Sequence, residues 1–374
     1  MRLKIEATWL AAFLLGACDT GSGGLEIVSE GSGEGKHSME SGSDTDSIGS
    51  PPSATGSSQH ELGERVVAAG GQWRFLVADS APAGWTQRDF DDSGWETGNA
   101  PLGVNARGIN TVVPRQGGQV IYLRTRGADY VAKPGSIALL RMRRDDAAVV
   151  YVDGTHLVSS NVSEVCSVEK TCPRHEVMER ESNIYVSAVA DATAFGDGES
   201  TIAVEVHPKG QDDDDWVFDL ELSLVDADEP AARWEATVST LNYNGKYSPN
   251  QAVAYWIDRA DGKFVKTLAV YADKQQEHLI HWRIASGDEC ADAETGATRT
   301  MPRTDVVRWD GTDSSGKKVP DGEYRLRVEI VEEHSNDGAE PGRLDSFSFS
   351  LGGNVSYQQL EPVGLAYDVC ITTP

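Results

Sequence analysis

Val306-Val-Arg-Trp309-Asp-Gly311-Thr-Asp-Ser-Ser-Gly316-Lys-Lys-Val-Pro-Asp-Gly322-Glu-Tyr324 decides the fold of the region around it. Val306, Val307 and Trp309 end a strand, because β-branched and aromatic side chains suit a pleated surface. Gly311 to Gly322 is built from Gly, Asp, Ser and Pro, the residues of turns. Tyr324 to Ile330 starts a returning strand, so the stretch predicts a hairpin with a long polar turn. The same grammar holds on either side. Trp234 to Thr240 alternates, and Ala252-Val-Ala-Tyr-Trp-Ile257 is a dense apolar strand. Asp261-Gly262 turns that strand into Phe264 to Val270, a hairpin signal. Phe347 to Leu351 and Leu365 to Ile371 add two more strands. Residues 230–374 therefore read as an all-β domain, with an immunoglobulin-like sandwich as the expected architecture.

Glu229-Pro-Ala-Ala232 reads as a linker. The region before it, residues 64–228, follows the same rule. Trp73-Arg-Phe-Leu-Val77, Val120 to Thr125, Ser136 to Met142, Ala147 to Val152, Ile184 to Val189, Thr201 to His207 and Trp216 to Leu224 are strand candidates. Val152-Asp-Gly-Thr155 is a hairpin turn. No long period of 3.6 appears, and many short strands with regular turns indicate a sandwich or jelly roll. The whole chain is thus expected to be all-β, two β-sandwich domains after a disordered tether.

Composition sets the address. The chain carries 33 basic and 59 acidic residues, a formal net charge of -26, which excludes nucleic acid and anionic membrane surfaces as natural partners. Arg2 and Lys4 followed by the apolar run Ala7 to Ala17 form an export signal, too short to span a bilayer as a helix. From Asp19 to His60, 20 of 42 residues are Gly or Ser and none is aromatic, so that stretch cannot bury enough apolar surface to fold. It is expected to act as a flexible tether, residues 18–63. Cys166, Cys172, Cys290 and Cys370 remain in an exported chain, and four cysteines allow three pairings. Cys166 and Cys172 lie close in one turn-rich segment and are paired here, which leaves Cys290 with Cys370.

Several segments resemble known families. Leu15-Gly-Ala-Cys18 resembles a bacterial lipobox. That resemblance implies cleavage after residue 17, acylation of Cys18, and anchoring to a lipid bilayer, in the periplasm or at the cell surface. Trp73-Arg-Phe, Trp85, Phe90-Asp-Asp-Ser-Gly-Trp95, Ala100-Pro-Leu-Gly103 and Asp145-Asp-Ala-Ala-Val-Val-Tyr-Val-Asp-Gly154 resemble galactose-binding-like jelly-roll domains, as do Thr201-Ile-Ala-Val-Glu-Val-His207 and Phe218-Asp-Leu-Glu-Leu222. This fold hosts sugar binders, calcium sites and plain spacers. Trp85 and Trp95 read either as sugar-stacking surfaces or as core. Asp145, Asp146 and the run Asp212 to Asp215 read either as oxygen ligands for a structural calcium or as acids that cap turns. Ala254-Tyr-Trp-Ile257, Phe264-Val-Lys-Thr-Leu268, Trp282, Asp292 to Arg299, and Trp309-Asp-Gly311 through Gly322-Glu-Tyr324 resemble the periplasmic family DUF2271. The last of these also resembles a hairpin of flagellar hook-capping proteins.

One loop can carry chemistry. Asp292-Ala-Glu-Thr295-Gly296-Ala297-Thr298 resembles the acceptor motif of flavinylated electron-transfer proteins. In those proteins a separate magnesium-dependent transferase joins flavin mononucleotide (FMN), through its phosphate, to a threonine. The resemblance implies that Thr298 is the acceptor. Gly296 and Ala297 leave room around its hydroxyl, and Asp292 orients the loop or meets a metal on the incoming phosphate. The competing reading is a plain turn of Thr, Gly, Ala and Asp. His278 and His281 read as a metal pair or as packing histidines on a strand. No G-x-S-x-G elbow exists. The expectation is a non-catalytic envelope lipoprotein that binds a glycan or a protein partner, the alternative being an electron-transfer protein with FMN on Thr298.

Overall fold

Strand alternation sorts the apolar residues onto opposing faces, and the chain closes them into two sandwiches. The computed structural model describes residues 63–374, apart from 117, 164–172, 197, 211–213, 227–229, 232, 335–341 and 354–355. The signal segment, Cys18, the tether, Cys166, Cys172, Asp212 and Asp213 lie outside the described residues.

In the first sandwich, one sheet runs in the order Val186–Asp191, Ser136–Arg144, Trp216–Asp226, Leu102–Val104, Thr111–Val112, with Glu64–Val67 also on Trp216–Asp226. The other runs Glu96–Asn99, Gln72–Ala78, Val120–Asp129, Glu199–His207, Ala147–Val152, Thr155–Ser160. Trp73, Leu102, Ile121, Leu140, Val150, Ile202, Trp216 and Phe218 fill the space between them. This is the expected jelly roll. Asp153 (φ 48°) and Gly154 (φ 85°) make the expected hairpin turn, since two successive left-handed residues match the strand twist. Trp85 is buried under a small outer cluster with Tyr122, and Trp95 packs on it at 6.4 Å between ring centroids. Arg124, fully buried, ties that turn down through Asp92 and the carbonyls of Trp85 and Gln87. Trp85 is therefore spent on packing.

In the second sandwich, a four-stranded sheet (Thr304–Trp309, Trp234–Thr240, Ala366–Thr372, Tyr357–Leu360) faces a five-stranded one (Glu294–Gly296, Phe264–Tyr271, Ala252–Arg259, Gly322–Val331, Arg343–Leu351). Val253, Tyr255 and Ile257 point into the core, whereas Ala252, Ala254 and Trp256 point to the outer face. The Asp261-Gly262 hairpin forms as expected.

Two expectations change. Thr304–Trp309 and Gly322–Val331 lie in opposite sheets, so the opening stretch does not form a hairpin between its strands. Its turn folds on itself through Thr312 and Lys318 and carries the chain across the sandwich. Trp309 and Tyr324 meet at 5.5 Å inside the core as the two ends of that arch. Likewise, His278 and His281 do not sit on a strand. Asp273–His278 is a 3-10 turn and Ile280–Ser286 a short helix, which ends at left-handed Gly287, a common helix stop. The helix covers the outer apolar face around Trp256 and Trp282.

The Cys290–Cys370 pairing is also overturned. Cys370 is a free, fully buried thiol in the four-stranded sheet, and burial pushes it up to about 12. Cys290 packs on the outer face of the other sheet, beside the Trp282 cluster. The two sheets of the sandwich lie between the two sulfurs. Cys290 is itself disulfide-bonded, to a partner outside the described residues.

The sandwiches meet along a polar seam. Ser187 and Val189 donate their backbone N–H groups from the edge strand Val186–Asp191 to Thr237 Oγ1 (3.0 Å) and Gln359 Oε1 (3.1 Å) of the second sandwich. Arg144 reaches Glu181, Ser160 and Thr304, all at 2.9 Å. His175 joins Glu181 to Tyr367, and Asn161 N–H donates to Asp368 at 2.7 Å. Arg144 and His175 beside it hold the buried Glu181 carboxylate down at about 2 against the cost of burial.

Candidate functional site

The acceptor-like loop lies at an edge. Glu294–Gly296 adds to the five-stranded sheet in parallel with Phe264–Tyr271, with Ala269 opposite Glu294 and Tyr271 opposite Gly296. Asp292 sits just before it with φ 60°, a conformation that Asp tolerates. Asp292, Glu294, Thr295 and Ala297 are exposed, and Gly296 and Thr298 are half-buried. A Cβ on Gly296 would stand 3.1 Å from Cδ1 of Tyr271, so the glycine lets the loop lie against that ring. The acceptor reading expects an exposed Thr298 hydroxyl. It is instead half-buried and donates to the carbonyl of Ala272 at 2.9 Å. The exposed hydroxyl of the motif belongs to Thr295.

Behind the loop stands Tyr271, its ring approached by the guanidinium groups of Arg303 (4.6 Å), Arg299 (5.1 Å) and Arg180 (5.5 Å). Arg180 comes from the first sandwich and bonds Glu294 at 2.5 Å. Tyr271 OH donates to the same carboxylate at 2.9 Å. Arg299 is fixed by an exchange of backbone hydrogen bonds with Gln251 and by contacts to Asp305, Tyr255 OH and Thr240. Arg303 bonds Asp305 at 2.9 Å. Arg299 Nε and Arg303 Nη2 are buried and have no hydrogen-bond partner among the described residues. Burial, opposed by Tyr255 and reinforced by Arg303, lowers Arg299 to about 10. A desolvated guanidinium with an unused N–H suits an anion, so these residues fit the phosphate that the acceptor reading requires. The sequence motif leads to the loop, but Arg180, Tyr255, Tyr271 and Asp305 carry no local signal and come together only in the fold.

Asp145 and Asp146 are arranged otherwise. Both are buried. Asp146 accepts from Val177 N–H (2.5 Å) and Lys209 N–H (2.6 Å), and its carbonyl accepts from Asn161. These oxygens brace loops. Among the described residues no group of three or more His, Cys, Asp or Glu side chains is placed to hold a metal ion. His278 stacks on His334 at 4.4 Å, whereas His281 gives its N–H to Glu329.

A concavity of about 270 Å³ is lined by Asp292, Lys266 and Leu268 together with Trp234, Arg308 and Trp309 of the four-stranded sheet. Lys266 is paired with Asp310 and Arg308 with Glu235.

No curated protein matches the chain. A β-glycosidase from Bacteroides vulgatus aligns at 14% identity over 81% of this chain and 35% of its own, with a TM-score of 0.30. A Bifidobacterium dentium β-glucuronidase, solved with coumarin-3-O-glucuronide, aligns at 13% over 79% and 49%, also with a TM-score of 0.30. This chain therefore spans less than half the length of either. Residues 234–349, which hold the acceptor-like loop and most of the second sandwich, match the family described as "Predicted periplasmic protein (DUF2271)".

Proposed function

We propose that this is a cell-envelope carrier of covalent flavin: a periplasmic or surface protein held to a bilayer through acylated Cys18, with FMN esterified to Thr298. The first sandwich serves as a non-catalytic scaffold that binds a glycan or protein partner, and the chain catalyses no reaction of its own. The observation that carries this reading is the loop itself. A small-residue acceptor motif lies on a sheet edge, pressed by Gly296 onto Tyr271, with under-bonded guanidinium groups behind it.

Attachment requires a bond from Thr298 Oγ1 to phosphorus. The hydroxyl proton leaves to a base on the transferase, and the P–O bond of an activated flavin phosphoanhydride breaks, its leaving group taking the electron pair. The hydrogen bond from Oγ1 to the Ala272 carbonyl must break first, since its proton is the one transferred, and the chain's share is to keep the loop narrow against Tyr271. Bound flavin would supply electron transfer, with the protein placing it.

Co-expression with a flavin transferase should add the mass of one FMN minus water. Thr298→Ala should abolish that gain, while Thr295→Ala keeps it. Wild-type protein that never acquires flavin, or Thr298→Ala protein that does, would refute the reading.

A further inference from the structure

Three guanidinium groups around one ring are unusual in a chain of net charge -26. Among the described residues their carboxylate partners number two: Glu294 takes Arg180, and Asp305 takes both Arg299 and Arg303. The next acid, Glu181, is engaged by Arg144 and His175. Arg299 and Arg303 thus share one carboxylate, and each keeps a buried N–H without a hydrogen-bond partner among the described residues. Burying such a charge is costly unless an anion answers it. A phosphate diester carries one negative charge, and Arg offers a planar fork suited to phosphate oxygens. Arg303, whose side chain keeps 15% exposure, is the less enclosed of the pair that shares Asp305. Arg299 is sealed behind it.

We infer that Arg303, backed by Arg299 and joined by Arg180 from the first sandwich, is the seat of the phosphate on Thr298, which makes the flavin site a property of both sandwiches. This rests on the flavin reading above and assigns it a phosphate-binding set outside the motif. Arg303 and Arg180 act as positioning residues. They hold the diester and with it the direction in which the flavin leaves the loop.

The test compares flavin-loaded and unloaded full-length protein by thermal unfolding. In the wild type, loading should raise Tm by ~1–2 °C, the scale of one added ion pair in a folded part of about 310 residues. Arg303→Gln should accept flavin but lose that gain. Arg303→Lys, which keeps the charge without the fork, should retain part of it. Arg180→Gln alters a side chain that is 59% exposed, which keeps the test open should Arg303→Gln fail to fold, and it should reduce the gain. A purely structural role for these arginines would lower loaded and unloaded Tm alike and leave the difference intact. If flavin attaches and the difference is the same in all variants, the phosphate seat is overturned and the flavin reading stands. If no variant, wild type included, gains flavin mass, both fall.

Discussion

Two acid-bearing turns in this chain look alike in sequence and differ in what the fold leaves unspent. Asp145–Asp146 lies inside the first sandwich, and the Asp146 oxygens are consumed by the backbone amides of Val177 and Lys209. Asp292–Thr298 lies on a sheet edge, its acids exposed and its neighbouring guanidinium groups under-bonded. Closed hydrogen-bond accounts belong to architecture, and open ones mark places where a ligand can change the energy. On this criterion Asp146 holds loops together, and the Asp292–Thr298 loop is the candidate site.

The contrast is sharpest in stability. Asp146→Ala should cost about 2–4 kcal/mol, because the buried Val177 N–H loses its acceptor at roughly 1–3 kcal/mol and the part-buried Lys209 N–H adds less. Chemical denaturation would measure it. Chelator treatment of the wild type should leave the unfolding midpoint where it is. A fall comparable to that of Asp146→Ala would instead restore calcium to this turn.

A third carboxylate tests how far satisfaction by amides can offset burial. Glu329 accepts the N–H groups of His281 (3.0 Å) and Trp282 (2.8 Å) at the start of the short helix. Burial nevertheless pushes it up to about 7 from 4.5. Since the folded form holds this proton more tightly than the unfolded chain, its contribution is complete below pH 4.5 and is lost as pH rises through 7. The amount is about 3 kcal/mol at one shift unit per ~1.4 kcal/mol. Glu329→Gln should remove that slope from the pH–stability profile. An unchanged slope would mean that the helix amides keep Glu329 ionised.

The smallest effect belongs to the open loop. Gly296→Val should cost ~1–3 kcal/mol by pressing a branched side chain on Tyr271. Its larger consequence should be poorer flavin acceptance, read by intact mass. A variant that is both stable and fully flavinylated would show that contact with Tyr271 plays no part in the site.

Most of the fold was legible because strand periodicity is local. Trp234–Thr240, Ala147–Val152 and the turns at Asp153-Gly154 and Asp261-Gly262 follow from the residues themselves. The Trp309-to-Tyr324 arch was misjudged because a polar turn between two strands has the same signature whether they pair or face each other across a core. The helix over Ile280–Ser286 is too short for its period to register. The cysteine pairing failed because counting thiols says nothing about which face of which sheet they occupy. At the site, the motif names Thr298 and Gly296. Arg180 comes from more than a hundred residues away and enters only through the seam.

That seam has a consequence for anyone who cuts the chain in two. Val186–Asp191 is the outer strand of its sheet, and its outward amides at Ser187 and Val189 are satisfied by Thr237 and Gln359 of the other half. Expressed alone, the first half would present those donors bare. A bare strand edge is a template for another copy of itself. The isolated fragment should self-associate through strand addition, whereas the intact chain carries its own shield against aggregation.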